Sequence, residues 1–348
     1  MKAILLIWLY ALAITSLLAQ PYQPEPLRVI FDTDMGSDCD DAGALALLHH
    51  YAAQGRVNIL ATTYTSGKVP YGAAVVEAIN TYYGQPNIPV AAMHDTTFGD
   101  PEDKMLAEKL ARDTAAFHHN IIHNHDALEH VSLCRKVLAQ QPDTSVVYLT
   151  VGHTKGLYDL LKSAPDNYSA LKGKDLLRKK MKRWVALGAL GASNDEGHYT
   201  RDWNFFFNGT APYTEYLVSN FPRPVHYVDG GRNVMTGKGL KQTPPGNIVR
   251  TAYRDWLWYV ENKSLDEQRP SWDLVTVYYA VEGIGSYFKN PKMGWLDFDE
   301  EKGCFWREGH QGPEQYFVLQ KQGTDEDFAR YLNLILSREA SLHKLDSY

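Results

Sequence analysis

The segment 29–45 holds five aspartates within ten residues, between an apolar run and a stretch with helical spacing. Residues 27–31 are mostly apolar and β-branched, which is typical of a strand that is buried on both faces. Gly36 gives the backbone the freedom that a tight turn needs. Beyond the turn, apolar residues such as Ala42 and Leu45 recur at helical spacing. The chain is therefore predicted to begin as a buried strand, an acidic turn and a helix.

The aspartates of this turn need an explanation, because carboxylates so close together repel one another unless a cation neutralises them or water solvates most of them. Oxygen ligands on a short loop suit a hard cation such as Ca²⁺ or Mg²⁺. Aspartate and glycine are also ordinary turn residues, and acidic side chains favour the start of a helix. That simpler explanation accounts for two of the five aspartates comfortably and for all five poorly. The turn therefore predicts a metal site.

The sequence of the turn resembles that of a known family. D-T-D-M-G at 32–36, followed by D-D-A-G-A-L at 40–45, is similar to the N-terminal fingerprint of the inosine-uridine preferring nucleoside hydrolases, D-T-D-P-G-x-D-D-A-x-A-L. Met35 replaces the proline of that pattern, and two extra residues lengthen the loop before the aspartate pair. Asp38 is therefore an alternative to Asp40 for the role of the first aspartate of the pair.

Two later segments resemble the parts of the family that complete a calcium site. Residues 149–157 are similar to its G-P-L-T-N turn, in which the residue before the glycine offers a backbone carbonyl to Ca²⁺. Residues 271–277 are similar to its H-D-P-x-A-V motif, whose aspartate is a metal ligand. An ordinary strand-to-helix turn and an aspartate stabilised by a helix dipole would leave the same two patterns. The metal ligands that the resemblance implies are Asp34, Asp41, the carbonyl of Val151 and Asp273, with Asp38 as a further candidate.

The resemblance also implies how a substrate would be held and attacked. Asp34 would be the catalytic general base, and Asp40 would bind the sugar hydroxyls together with Asn204 and Asp202. The last two belong to residues 202–206, which resemble the E-F-N segment of the family with an aspartate in place of the glutamate. Trp272 stands where many members have a histidine near the leaving base, so it either stacks on the base or packs in the core. No residue is assigned as the acid that protonates the leaving group.

Predicted strands and helices alternate along the first two thirds of the chain. This alternation predicts an α/β protein with an open, mainly parallel sheet and helices on both faces. The resemblance implies that this sheet is a Rossmann-like core of the nucleoside hydrolase type. Ligands of such sheets bind at the carboxyl ends of the strands, where Asp32 and Asp34 fall. The predicted strands are 27–31, 57–63, 88–92, 145–151, 183–187, 224–228 and 316–319, and the predicted helices include 73–83, 126–140, 156–161 and 325–342.

The N-terminus is typical of an export signal. A lysine at position 2 precedes an apolar run to Leu18, small residues follow, and the prolines beyond are unlike the basic stop of a membrane anchor. We expect residues 1–20 to be a signal peptide, the protein to be periplasmic or secreted without a membrane anchor after cleavage, and 21–348 to form one domain. Three cysteines are too few for a disulfide framework, and an odd number cannot all pair with one another. The net charge of −6 without a basic stripe argues against a nucleic acid polymer as partner.

Three functions fit these patterns. The first is Ca²⁺-dependent hydrolysis of the N-glycosidic bond of a ribonucleoside or related N-riboside. The resemblance also implies a homo-oligomer. The second is a non-catalytic or altered-specificity sugar or nucleoside binder on the same fold, because several positions that face the substrate depart from the family. The third is a phosphatase of the haloacid dehalogenase type, in which the first aspartate of a D-x-D motif is the nucleophile. The aspartate pair at 40–41 is foreign to that third class.

Overall fold

A ten-stranded sheet organises residues 25–338, the part of the chain that the computed structural model describes. The expected signal peptide, residues 1–20, lies outside the described residues. Two further short strands pair with each other only. In chain order the strands are β1 (Leu27–Thr33), β2 (Val57–Tyr64), β3 (Val90–Ala92), β4 (Leu128–Glu129), β5 (Val146–Thr150), β6 (Met181–Leu187), β7 (Val225–Asp229), β8 (Met235–Thr236), β9 (Arg269–Pro270), β10 (Lys292–Asp299), β11 (Gly303–Glu308) and β12 (Gln315–Leu319).

The order of strands in the sheet is β11-β10-β12-β7-β6-β5-β1-β2-β3-β4. All neighbouring pairs from β12 to β4 are parallel, and only the pairs β12–β10 and β10–β11 at one edge are antiparallel. The prediction of an open, mainly parallel sheet is thus confirmed. Strand β1 lies between β2 and β5. The chain runs from β1 outward to β4 on one side and then crosses to β5 on the other side, so the strand order reverses at β1. A crevice at the carboxyl ends of β1 and β5 is the expected ligand site of such a topology.

Helices cover both faces of the sheet. They are α1 (Asp40–Ala53), α2 (Gly72–Tyr82), α3 (Ala107–Arg112), α4 (His130–Gln140), α5 (Lys155–Lys162), α6 (Gly173–Lys180), α7 (Ala211–Asn220), α8 (Ile248–Glu261), α9 (Trp272–Glu282) and α10 (Asp325–Leu336). One buried cluster packs Val29 and Phe31 of β1 against α1, α2, α8, α9 and α10. A second cluster packs Ile30 against α4, α5, α6 and α7. Both faces of β1 are therefore buried, which explains why its sequence is apolar without alternation.

The structure contains elements that were not predicted from the sequence, among them the helices α3, α6, α7 and α8. Residues 292–308 form the antiparallel hairpin β10–β11, for which no strand was predicted. Helix α4 begins at His130 rather than at 126, because residues 128–129 pair with β3 instead. The closing helix α10 ends at Leu336, and residues 339–342 of the predicted helix lie outside the described residues. The three cysteines are buried free thiols, as expected for structural residues. Among the described residues, no helix has the length and apolar character needed to span a membrane.

Candidate metal centre and substrate cavity

A cavity of about 450 Å³ opens at the carboxyl ends of β1 and β5. The loop after β1 and the first turn of α9 form its acidic wall, and the segment after β6 and helix α8 form other walls. Every site residue predicted from the sequence lines this cavity except one. The lining predicted residues are Asp34, Asp38, Asp41, Val151, Asp202, Asn204, Trp272 and Asp273. The exception is Asp40, which is buried behind the wall.

The acidic side chains lie close enough together to share a cation. Asp38, Asp40, Asp41 and Asp273 each place one carboxylate oxygen within 4.8 Å of the others. Among residues 25–338, Oδ2 of Asp34 and Oδ1 of Asp38 are buried and accept no hydrogen bond. A buried carboxylate oxygen without a donor is unfavourable unless a cation or an ordered water meets it. Oxygen donors alone fit a hard divalent cation such as Ca²⁺.

Burial and mutual repulsion also raise the pKa values of this group. For Asp34, burial is the main cause, followed by the charges of Asp100, Asp41 and Asp38, and its pKa lies well above the ordinary value. Burial likewise raises the pKa of Asp273 well above its ordinary value, with the charges of Asp40 and Asp41 adding to the effect. Without a positive charge in the cluster, these carboxylates favour the protonated form. A divalent cation would hold them ionised at neutral pH.

The turn after β5 brings a backbone carbonyl to the same place. The amide of Val151 donates to the carbonyl of Asp32 at 2.9 Å, which joins the turn to β1. At Gly152, a Cβ atom would lie 2.5 Å from the backbone nitrogen of Asp34, so this close approach requires glycine. The carbonyl of Val151 accepts one hydrogen bond from Nδ2 of Asn204 at 2.7 Å. A carbonyl oxygen has two lone pairs, so the second stays available for a metal.

Arg269 is a functional residue that the sequence patterns did not reveal. It is 3% exposed, and its Nη2 lies 3.0 Å from Oδ2 of Asp38 and 3.0 Å from Oδ1 of Asp40. The guanidinium also lies over the rings of Trp256, at 4.4 Å, and Trp272, at 5.5 Å. Burial, the largest single cause, raises the pKa of Asp38, but the charge of Arg269 and hydrogen bonds with Asp40 and Arg269 together hold that pKa below its usual value. Arg269 is thus the buried counter-charge of the lengthened loop.

This ion pair explains where the two aspartates of uncertain register lie. Asp40 is 1% exposed and is turned towards Arg269, and its Oδ2 also accepts a hydrogen bond from the backbone nitrogen of Asp273 at 3.3 Å. The side chain of Asp38 is 33% exposed and remains on the cavity wall. Asp38 is therefore the member of the two that faces the cavity.

Asp100 and His153 form a second buried group beside the acidic wall. Nε2 of His153 lies 3.2 Å from Oδ1 of Asp100 and 3.4 Å from Oδ2 of Asp34. Asp100 also accepts hydrogen bonds from Nε1 of Trp203 at 2.8 Å and from the hydroxyl of Ser66 at 3.0 Å. Asp100 thus connects the loops that follow β2, β3, β5 and β6. Its only sequence signal is a glycine before it, whereas His153 stands out as the replacement of the proline in the G-P-L-T-N pattern.

Asp202 lines the cavity, but its carboxylate is already engaged by the backbone. Oδ2 accepts a hydrogen bond from the amide of Ala189 at 2.8 Å, and Oδ1 accepts one from the amide of Phe205 at 2.9 Å. Burial raises the pKa of Asp202 to about 6, although these hydrogen bonds act in the opposite direction. The residue therefore joins the turn after β6 to the segment that carries Asn204. Because its carboxylate accepts hydrogen bonds from two backbone amides, Asp202 is a structural clamp between these segments and also lines the cavity.

Replacing Asp202 by asparagine is expected to destabilise the fold by about 1–3 kcal/mol, because an amide accepts at one end only and leaves a buried N–H facing another donor. Equilibrium denaturation measures the loss. Asp113→Asn is the matched control, since the exposed Asp113 also accepts a backbone hydrogen bond, from Ala116 at 3.1 Å. That control is expected to change stability by about 0.5 kcal/mol or less. Equal stability of the two variants would contradict the clamp.

The sheet topology and the crevice define the class of this protein: it has the nucleoside hydrolase fold. The inosine-uridine preferring nucleoside hydrolase from Bacillus anthracis superposes with a TM-score of 0.58 at 16% identity, over 89% of this chain and 99% of that one. The effector protein XOO4466 gives a TM-score of 0.66 at 16% identity, and the type III effector XopQ, solved with adenosine diphosphate ribose, gives 0.63 at 17%, each over 91% of this chain and 95% of the other. No family model and no curated protein sequence matches the chain.

Proposed function

We propose that the protein hydrolyses the N-glycosidic bond of a ribonucleoside or related N-riboside in a Ca²⁺-dependent reaction. The observation that carries this proposal is that Asp34, Asp41, Asp273 and Val151 line one cavity, where Oδ2 of Asp34 is buried and accepts no hydrogen bond from residues 25–338. Ca²⁺ held by these groups would polarise a water molecule and offset their charge. Export through cleavage of residues 1–20 and assembly into a homo-oligomer are further parts of the proposal.

The side chains have distinct tasks in this reaction. Asp34 takes the proton of the attacking water as general base. Asp38 binds the sugar hydroxyls with Asn204, since Asp38 lines the cavity and Asp40 does not. The fixed negative charges of the wall stabilise the positive charge that develops on the sugar ring. Direct attack by water inverts the anomeric centre, because no carboxylate forms a covalent bond to the sugar.

Aromatic rings favour a nucleobase as the leaving group. Trp272 is partly buried: it packs against the core and also lines the cavity. Trp203 and Trp256 line the same cavity from other elements. An indole offers a flat face on which a purine or pyrimidine can stack. Trp272 therefore has a place both in core packing and, in this proposal, in stacking on the base.

The two other candidate functions fare differently. A binder without catalysis has support from the likeness to XopQ, which was solved with adenosine diphosphate ribose. A phosphatase would need Asp32 to face the substrate as nucleophile. Instead Oδ2 of Asp32 accepts a hydrogen bond from the hydroxyl of Tyr148 at 2.8 Å, and Asp32 does not line the cavity. We therefore retain the binder as the alternative and discard the phosphatase.

The test is release of free base and ribose from a panel of ribonucleosides, followed by chromatography with calcium and with chelator. We expect base release that chelator abolishes and added calcium restores. Calcium at about a hundred times its Kd should also stabilise the fold by about 2.7 kcal/mol. When the calcium concentration is set from the Kd at pH 7.5 and kept constant, the stabilisation should be smaller at pH 5. The raised pKa values of Asp34, Asp41 and Asp273 mean that the calcium-free fold binds extra protons and loses stability as pH rises above the ordinary aspartate pKa.

Two outcomes would contradict parts of the proposal. Calcium stabilisation without base release from any nucleoside would favour the binder. An unchanged melting temperature at millimolar calcium would contradict the metal site itself.

A further inference from the structure

We infer that Lys104 is the acid that protonates the departing base. This inference rests on the proposed hydrolase function, which leaves the leaving-group acid unassigned because Trp272 stands in place of a histidine. Lys104 lies in the loop between β3 and α3 and lines the cavity. An ammonium group carries a proton at neutral pH and can give it to a nitrogen that becomes strongly basic as its bond to the sugar breaks.

The backbone holds Lys104 in a fixed place beside the acidic turn. The amides of Lys104 and Met105 both donate to the carbonyl of Gly36, at 2.8 and 2.9 Å. Gly36 lies two residues after Asp34, so the loop that carries the ammonium is joined to the loop that carries the general base. The Lys104 side chain is only partly buried. It can therefore reach the cavity and exchange protons with water.

The other strong donors and acids of the cavity already have partners. Glu261 forms an ion pair with Lys263 at 2.8 Å. Asp202 accepts two backbone hydrogen bonds, and Arg269 is bound by Asp38 and Asp40.

The remaining donors of the cavity either already donate a hydrogen bond or are too weakly acidic to protonate a leaving group. Nε1 of Trp256 donates to the carbonyl of Ser37 at 3.2 Å, and Nε1 of Trp203 donates to Asp100. The hydroxyl of Ser37 and the indole of Trp272 are very weak acids. The ammonium of Lys104, by contrast, makes no ion pair or hydrogen bond with any residue in 25–338.

The step balances without any further reactant. The bond between the anomeric carbon and the base nitrogen breaks, and its electron pair goes to the base. The base takes a proton from Nζ of Lys104, while the attacking water forms the new bond to carbon and gives a proton to Asp34. Solvent then returns a proton to Lys104 and accepts one from Asp34. The products are the free base and the sugar.

Leaving-group dependence tests this role. In Lys104→Met, kcat/KM for the nucleoside that the wild type hydrolyses fastest should fall by about 10²–10³-fold. Hydrolysis of 4-nitrophenyl riboside should change by about threefold or less, because nitrophenolate is a stable anion that leaves without a proton. Lys104→Arg should restore little of the lost activity, since a guanidinium keeps the charge but does not give up its proton. Lys289→Met, at an exposed position outside the cavity, is the control for loss of a lysine charge.

The results separate this inference from the proposed function. A wild type that hydrolyses neither substrate contradicts the hydrolase function. A wild type active on both substrates, with Lys104→Met equally impaired on both or on neither, contradicts the role of Lys104 alone. A variant impaired only in the KM for a nucleoside 5′-phosphate would assign the ammonium to phosphate binding and overturn proton donation. The melting temperature of Lys104→Met should equal that of the wild type, since no ion pair is lost.

Discussion

Asp34→Asn is expected to lower kcat/KM for nucleoside hydrolysis by about 10³-fold or more while the protein remains folded. The amide has nearly the same shape as the carboxylate, but it cannot take a proton from water and is a weaker metal ligand. The loss should persist at saturating calcium, because the missing base is not replaced. Steady-state kinetics over a range of calcium concentrations measures both effects.

Stability should move in the other direction. Asp34 is 3% exposed, and the charges of Asp100, Asp41 and Asp38 repel its carboxylate. A neutral amide removes this repulsion, so the melting temperature of Asp34→Asn in chelator should equal or exceed that of the wild type. If Asp34→Asn loses activity but keeps or gains stability, the charge of Asp34 serves the reaction and not the fold.

Asp32→Asn is the matched control, because Asp32 is the other aspartate of the D-T-D motif. It is fully buried, accepts a hydrogen bond from Tyr148 and lies 3.4 Å from Nε2 of His130. Its substitution should lower stability but leave kcat/KM within about tenfold of the wild type. If Asp34→Asn retained near-full activity, or if Asp32→Asn lost as much as Asp34→Asn, the assignment of the general base would be wrong.

The fold could be predicted where local pattern and tertiary role agree. The apolar run of β1 is buried on both faces, so its composition alone identified a central strand. The hairpin β10–β11 was missed because its burial alternates only in part and charged residues occupy both strands. Its place at the sheet edge depends on pairing with β12, a contact between distant parts of the chain.

The candidate site likewise contains residues that the sequence revealed and residues that it did not reveal. Residues of the first loop were found because five aspartates in ten residues are unusual in any structure. Arg269 lies 231 positions from Asp38 and has no local pattern of its own. Asp100 is likewise defined by partners on other loops, such as Trp203. A single sequence shows spacing along the chain, whereas these contacts exist only after the strands align their carboxyl ends.

Arg269 also gives a physical reason for the lengthened loop. Two residues more than the family pattern place an extra carboxylate, Asp38, beside the pair at 40–41. A divalent cation alone would leave this larger cluster strongly negative. The guanidinium supplies one positive charge, and the indoles of Trp256 and Trp272 shield it from water. The insertion and the arginine therefore form one arrangement.

Arg269→Met is accordingly expected to destabilise the protein by about 3–5 kcal/mol, because it leaves the carboxylates of Asp38 and Asp40 buried without their partner. Methionine fills much of the same space, so the loss reports the charge more than the packing. Urea denaturation in chelator measures it without interference from calcium. Arg269→Lys should lose less, since it keeps the charge but neither the paired geometry nor the flat face that stacks on tryptophan.

Arg56→Met is the control that isolates burial. Arg56 also binds a carboxylate through two hydrogen bonds, to Glu282 at 2.6 and 2.9 Å, and also lies over an aromatic ring, that of Tyr51. Its side chain is 40% exposed, and water screens the pair, so we expect a loss below about 1 kcal/mol. Adding Asp38→Asn to Arg269→Met should recover part of the stability, because it removes one of the unpaired charges. If Arg269→Met were no less stable than Arg56→Met, the buried pair would make no net contribution, and the longer loop would need another source of stability.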